Sequence, residues 1–273
     1  MTDKKYENIK IEREGEVTWI VLNRPEKRNA MSPGLHYDME DALSWLATDA
    51  QTRVLILTGA GQAFCAGQDL KAYFRENENA PVERRRAGLA SHHWRWEMLS
   101  TFPKPTIAMV NGYCFGGGFT QLCACDFAIA SEDAIFGLSE VNWGIIPGGV
   151  VAWNVAKMLM PRHAMYYAAT GKTFDGRRAE QIGLVNIAVP QEMLRQETLA
   201  LAADLLNINS GVLRYTKEAI RAVTDMTVEQ ARDYLAVKQE ALAKADKEIG
   251  DKVGLKKFLD DKSYRPGLEP YSK

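Results

Sequence analysis

Pro105-Thr106-Ile107-Ala108-Met109-Val110-Asn111-Gly112-Tyr113-Cys114-Phe115-Gly116-Gly117-Gly118 is the stretch whose reading decides the fold. Its first part, 106–110, is a short apolar run opened by Pro105 and closed by Asn111-Gly112, which predicts a strand. Apolar residues at successive positions, rather than alternate ones, predict burial on both faces, as in a parallel sheet. Val54-Leu55-Ile56-Leu57, ending in Thr58-Gly59, shows the same pattern upstream, and 127–130 shows it downstream. A further strand, 17–22, lies between Gly15 and Asn23-Arg24-Pro25. Ser32 and Pro33 then read as an N-cap with proline at the first helical position. Leu35, Met39, Ala42, Leu43 and Leu46 supply the apolar stripe of the helix that follows.

Strands alternate with helical patterns through the first two thirds, which predicts βα repetition in an α/β fold. Beyond Val189 the pattern is helical, over 191–206, 212–223, 228–245 and 253–259. The expected organisation is an α/β core over 1–200 and a helical C-terminal region over 201–273, forming one unit. Residues 263–273 are rich in Pro and Gly and read as a surface tail.

The 273 residues are 46% hydrophobic and 25% charged, an ordinary balance for a globular chain with a buried core. A net charge of −1 gives no global field to draw in nucleic acid or an anionic membrane. Arg84-Arg85-Arg86 is a basic cluster that reads as a solvated helix face. Cys65, Cys114, Cys123 and Cys125 fit neither a disulfide framework nor a zinc spacing, so buried free thiols in a reducing compartment are expected. The N-terminal MTDKKYENIK has no signal-peptide core, and no apolar run approaches the roughly 18 residues of a membrane span. A soluble cytoplasmic protein is the expectation.

Three segments carry candidate chemistry. Phe64-Cys65-Ala66-Gly67-Gln68-Asp69-Leu70 and the Gly116-Gly117-Gly118 turn both follow a strand and precede a helix-like stretch. Small residues let a ligand approach the main chain, and a helix start presents unpaired N–H groups. Two such turns facing one point would hold an oxyanion. The third segment runs from Phe136 through Leu138-Ser139-Glu140-Val141-Asn142-Trp143 to Pro147-Gly148-Gly149. There the apolar flanks of Glu140 would desolvate its carboxylate and raise its pKa towards the range useful for proton transfer. Taken singly, each turn fits plain strand-to-helix packing and Glu140 fits a surface glutamate. Gly59-Ala60-Gly61 is not a dinucleotide fingerprint, because Phe64 stands at the place of its third glycine and no acidic residue closes the expected second strand.

Together these segments, with Asn23-Arg24-Pro25-Glu26-Lys27-Arg28-Asn29-Ala30, resemble the crotonase (enoyl-CoA hydratase/isomerase) family in order and spacing. The resemblance implies a crotonase-type spiral of ββα units and an oxyanion hole made by the N–H groups of Gln68 and Gly117. It also implies a coenzyme A groove lined by Lys27, Ala66, Gln68 and Leu70. Simple hydratases of the family carry a second glutamate just after the triple glycine, where this chain has Thr120. A threonine hydroxyl is no base near neutral pH, so Glu140 would carry the proton steps alone.

Gly67-Gln68-Asp69-Leu70-Lys71-Ala72-Tyr73-Phe74, Leu138-Ser139-Glu140-Val141-Asn142-Trp143-Gly144-Ile145 and Thr170-Gly171-Lys172-Thr173-Phe174 are more closely similar to the hydroxycinnamoyl-CoA hydratase-lyases. So is the end, 258–268. In that subfamily a small hydroxyl residue takes the position of Thr120. The implied reaction adds water to a feruloyl-, coumaroyl- or caffeoyl-CoA thioester, then cleaves it by a retro-aldol step. The products would be a hydroxybenzaldehyde such as vanillin and acetyl-CoA. Tyr73 would bond the phenol, and Thr120, Ser139, Trp143, Tyr234 and Ala236 would line the substrate pocket. The chain departs at Gln68, where methionine is usual, and at Tyr234-Leu235-Ala236, where a second tyrosine is missing. The resemblance further implies no metal and no permanent cofactor, coenzyme A entering and leaving with substrate and product, and a homotrimer or hexamer. Two alternatives stand beside it. One is a hydratase or isomerase of another unsaturated acyl-CoA, and the other is a non-catalytic RNA-binding homologue.

Overall fold

Ile9–Glu14 (β1) and Val17–Leu22 (β2) form an antiparallel hairpin that turns at Gly15, whose φ of +61° is one that a side chain would strain. The computed structural model describes residues 4–76, 78–245 and 250–263. Ser32 Oγ accepts from Leu35 N at 3.2 Å and starts Pro33–Thr48 (α1), as the Ser-Pro pair predicts. Replacing such a cap by alanine costs about 1 kcal/mol.

A pair of strands then recurs three times, a long one followed by a three-residue one. Val54–Gly59 (β3) leads to Ala63–Cys65 (β4), and Pro81–His92 (α2) follows. Thr106–Val110 (β5) leads to Tyr113–Phe115 (β6) and Gly118–Ala124 (α3). Phe127–Ser131 (β7) leads to Ile135–Gly137 (β8), with Val151–Met158 (α4) and Pro161–Thr170 (α5) after it. Thr173–Asp175 (β9), Gly176–Gln181 (α6), Ile187–Val189 (β10) and Leu194–Leu206 (α7) complete the α/β part. The long strands form one sheet in the order β1-β2-β3-β5-β7-β10, parallel from β2 onward. The short ones form a second sheet, β4-β6-β8-β9.

The central strands of the large sheet, β2, β3, β5 and β7, are buried on both faces, which is why they read as largely apolar runs. Leu55, Leu57, Ala108 and Val110 join Leu35, Met39 and Leu43 of α1 with Phe119 and Phe136 in one core. Val54, Ile56 and Ile107 point the other way, against Ala202 and Leu205 of α7. Each fully buried side chain of this size contributes about 1.5–3 kcal/mol. All four cysteines are buried and free.

Ser210–Val223 (α8) and Val228–Ala245 (α9) pack on each other with no fully buried residue in either, and Gly250–Leu259 (α10) follows. The expected division at residue 200 falls inside α7, which lies on the sheet. Among the described residues no helix is long and apolar enough to cross a membrane. The expected tail lies, apart from Ser263, outside the described residues.

Candidate active site

Two main-chain turns meet at the ends of β4 and β6. Met31 N donates to Gly67 O at 2.8 Å and Asp69 N donates to Met31 O at 3.0 Å, forming a single parallel bridge between Met31 and Gln68. In such a bridge the flanking residues bond across, so the N–H of Gln68 points away from Met31. Gly67 has φ +90°, and a Cβ there would lie 3.1 Å from Phe115 O and 3.5 Å from Gly117 N. The two turns therefore touch only because the position is glycine. Gly118 is pressed onto β4 in the same way, its missing Cβ lying 2.7 Å from Cys65 O. Neither the Gln68 nor the Gly117 N–H has an acceptor among the described residues.

The Gln68 side chain turns the other way, into a buried polar chain. Trp94 Nε1 donates to His36 Nδ1 at 2.9 Å, which leaves His36 Nε2–H to donate to Gln68 Oε1 at 2.9 Å. Gln68 Nε2 donates to Ser91 Oγ at 3.1 Å. Burial, with the charge of Arg95 nearby, lowers the His36 pKa to about 3, so the ring is neutral and this tautomer is fixed.

Glu140 sits on the 3₁₀ segment Ser139–Trp143, which ends at Gly144 with φ +72°. It is 9% exposed, and its Oε2 has no hydrogen-bond partner among the described residues. A Cβ on Gly116, whose φ is +47°, would lie 3.2 Å from Glu140 Oε1. The carboxylate thus lies over the turn that carries the Gly117 N–H. Burial raises its pKa above the ordinary glutamate value.

These groups line one cleft of about 830 Å³. It brings together Ala66, Gln68, Leu70, Tyr73, Gly117, Ser139, Glu140 and Trp143 of the residues singled out from sequence. Four others lie elsewhere. Thr120 is fully buried behind the turn, and its hydroxyl donates to Gly149 O at 3.2 Å instead of facing the cleft. Lys27 ends the exposed turn Pro25–Lys27, and the next residue, Arg28 with φ 49°, lines the cleft in its place. Tyr234 borders a separate cleft with Trp96, Trp153 and Lys157, and Ala236 borders neither, because α9 runs beside α8 and away from β4 and β6. Arg95 and His36 were not singled out. Their setting comes from tertiary packing, and only the i, i+4 spacing of Ser91 and Arg95 hints at a shared role. Among the described residues no three His, Cys, Asp or Glu side chains stand together as a metal site.

The enoyl-CoA hydratase/isomerase family model matches residues 12–265. The hydroxycinnamoyl-CoA hydratase-lyase of Pseudomonas fluorescens is 47% identical over 270 residues, covering 98% of each chain. The crotonyl-CoA hydratase of Syntrophomonas wolfei subsp. wolfei is 30% identical over 256 residues, 93% of this chain and 96% of that one. The crystal structure of an enoyl-CoA hydratase from Bacillus anthracis superposes with a TM-score of 0.84 at 30% identity, covering 93% of this chain and 97% of that one. The spiral of paired strands is the fold they share, and the chain belongs to the enoyl-CoA hydratase/isomerase family of enzymes.

Proposed function

We propose that the chain is a hydratase-lyase acting on 4-hydroxycinnamoyl-CoA thioesters, feruloyl-, coumaroyl- or caffeoyl-CoA. The observation that carries the reading is a desolvated carboxylate, Glu140, over two main-chain N–H groups that are free among the described residues, with Thr120 turned away behind them. The 47% identity with a hydroxycinnamoyl-CoA hydratase-lyase supports the substrate class.

The thioester oxygen accepts from the N–H groups of Gln68 and Gly117, which stabilise the charge that develops there. Glu140, as carboxylate, takes a proton from water while the oxygen adds to Cβ and the double-bond electrons move into the enolate. The protonated Glu140 then returns the proton to Cα. In the second step Glu140 takes the proton of the new β-hydroxyl. The Cα–Cβ bond breaks, its electrons form the enolate of the acetyl thioester, and protonation at Cα gives acetyl-CoA beside the aromatic aldehyde. Both steps put negative charge on the same oxygen, so one hole serves both. Tyr73 bonds the phenol, Ser139 and Trp143 border the ring, and Ala66 and Leu70 border the coenzyme A arm. Arg28 and Lys27 supply charge for its phosphates. Coenzyme A comes and goes with substrate and product, with no permanent cofactor. The enzyme works in the cytoplasm as a homotrimer or hexamer, in which the exposed apolar residues of α8 to α10, Ile220, Val237 and Leu255 among them, are covered.

A hydratase of another unsaturated acyl-CoA is the second reading, favoured by the absence of Tyr234 and Ala236 from the cleft. An RNA-binding role rests only on the exposed Arg84, Arg85 and Arg86, and Arg86 is already occupied over the Tyr37 ring at 4.8 Å. Incubation with feruloyl-CoA and, separately, crotonyl-CoA decides. Equal amounts of aldehyde and acetyl-CoA from the first are expected. Hydration of crotonyl-CoA with no aldehyde from any hydroxycinnamoyl thioester overturns the lyase assignment.

A further inference from the structure

Ser91 and Arg95 lie one helical turn apart, where α2 passes into the π-helical segment His93–Met98. From this turn, hydrogen bonds run to both halves of the oxyanion hole. Ser91 Oγ accepts from Gln68 Nε2 at 3.1 Å, tethering the residue whose N–H forms one half. Arg95 Nε donates to Ser91 O at 2.9 Å, and Arg95 Nη1 donates to Gly117 O at 3.2 Å, on the other half. A Cβ on Gly117 would lie 3.0 Å from Nη1, so the guanidinium packs directly against that residue.

Arg95 is 5% exposed, yet both of its acceptors are main-chain carbonyls and no carboxylate pairs with it among the described residues. Burial lowers its pKa to about 10, which leaves it charged at neutral pH. Nη2 has no protein acceptor among the described residues and lies on the cleft wall, 3.2 Å from where a Gly149 Cβ would be. Glu140 makes no ion pair with this charge among the described residues, and its Oε2 has no hydrogen-bond partner there. A buried cation with no counter-ion is costly to keep. Here it stands beside the spot where the reaction creates an anion.

We propose that Arg95 is a positioning residue of the oxyanion hole, which anchors Gly117 through its carbonyl, on the peptide next to the one that carries the N–H, and adds a standing positive charge that favours the thioester enolate over the neutral thioester. The proposal rests on the reading of Gln68 and Gly117 as that hole. Its counter-ion is the enolate of the substrate, present only once reaction begins, so the charge acts on turnover more than on ground-state binding.

Acetoacetyl-CoA provides the test, because its enolate absorbs in the near ultraviolet and can be titrated while bound. The wild-type protein should bring the enolate band in at lower pH than free solution does. Arg95→Gln should raise that midpoint by about 1 pH unit, a tenfold loss in the ionisation constant, and Arg95→Lys should recover part of it. The dissociation constant of butyryl-CoA, which forms no enolate in this range, should stay within about twofold across the three proteins. An unchanged midpoint in Arg95→Gln overturns the proposal. So does a loss of butyryl-CoA affinity as large as the loss of ionisation, which marks a structural role alone. A wild-type protein that does not favour the enolate removes the hole and the role of Arg95 together. Failure of feruloyl-CoA to yield aldehyde leaves this readout standing, because it needs only thioester binding.

Discussion

Gln68 and Arg95 on one wall of the cleft, with His36 and Ser91 buried behind them, are tied to one another and to Trp94 and Gly117 by hydrogen bonds of 2.9–3.2 Å. On another, Trp143, Ile145 and Ile146 stand 65%, 49% and 82% exposed. On the proposed function, the difference follows the work each has to do. An N–H that stabilises a developing charge acts over a few tenths of an ångström, and its supports have to hold it there. An apolar surface that excludes water from an acyl group needs only area, and can settle when the ligand covers it. Glu140 lies where the two meet, buried like the first wall and carried on the exposed segment of the second.

The strongest way to break this contrast is Glu140→Gln, which keeps shape and removes the base. Turnover of crotonyl-CoA and of feruloyl-CoA should fall by about 10³-fold. Near-normal turnover in a steady-state assay would remove Glu140 from the mechanism. The same change should not destabilise the fold. A carboxyl whose pKa is raised on folding contributes stability below its unfolded pKa and loses it as pH rises through the folded value. At neutral pH the amide relieves that cost, so the Tm of Glu140→Gln should equal or exceed that of the wild type.

A second test strikes the braced wall through pH. His36 has a pKa lowered from 6.5 to about 3, so the unfolded chain takes up a proton where the folded one refuses it. Stability is whole above pH 6.5 and falls as pH drops from there towards 3. By pH 4.5 the loss from this group is about 2–3 kcal/mol. Asp41, Asp49 and Asp69, all held below their ordinary values, add their own losses only at lower pH. Denaturant titrations at pH 7 and 4.5 read the difference, and a flat profile would show that the ring is not buried as a neutral acceptor.

The smallest effect belongs to the open wall. Trp143→Ala should raise KM for an aryl thioester by about threefold to tenfold with kcat within twofold, since only contact area is lost. A collapse of kcat instead would mean that Trp143 shapes the reacting geometry and that the two walls are not separate.

The fold was legible where burial is two-sided. Thr106–Val110 and Val17–Leu22 have the bounds their apolar runs predict. β1 was not read, because Lys10, Glu12 and Glu14 give an edge strand the look of a polar linker. Strands of three residues, β4, β6 and β8, are too short for any period to show, so family resemblance implies the ββα unit while the second sheet emerges only in the structure. In the site, each glycine turn and Glu140 fit a plain structural reading alone, and only their joint resemblance to a family marks them out. Arg95 did not, since within His92-His93-Trp94-Arg95-Trp96 a basic residue reads as surface until α1, α2 and the Gly117 turn close around it. The complementary case is Tyr234 and Ala236, singled out through a motif: nothing local reveals that α9 lies apart from the cleft of its own chain.

The bridge between Met31 and Gln68 has one more consequence, for how such a site changes over generations. The donor it aims into the cleft belongs to the main chain, so every residue except proline carries it. Substitution at position 68 can drift without deleting the N–H, while the tether to His36 and Ser91 is free to be gained or lost. On the proposed reading, chains that differ at this position would still carry the same donor atom.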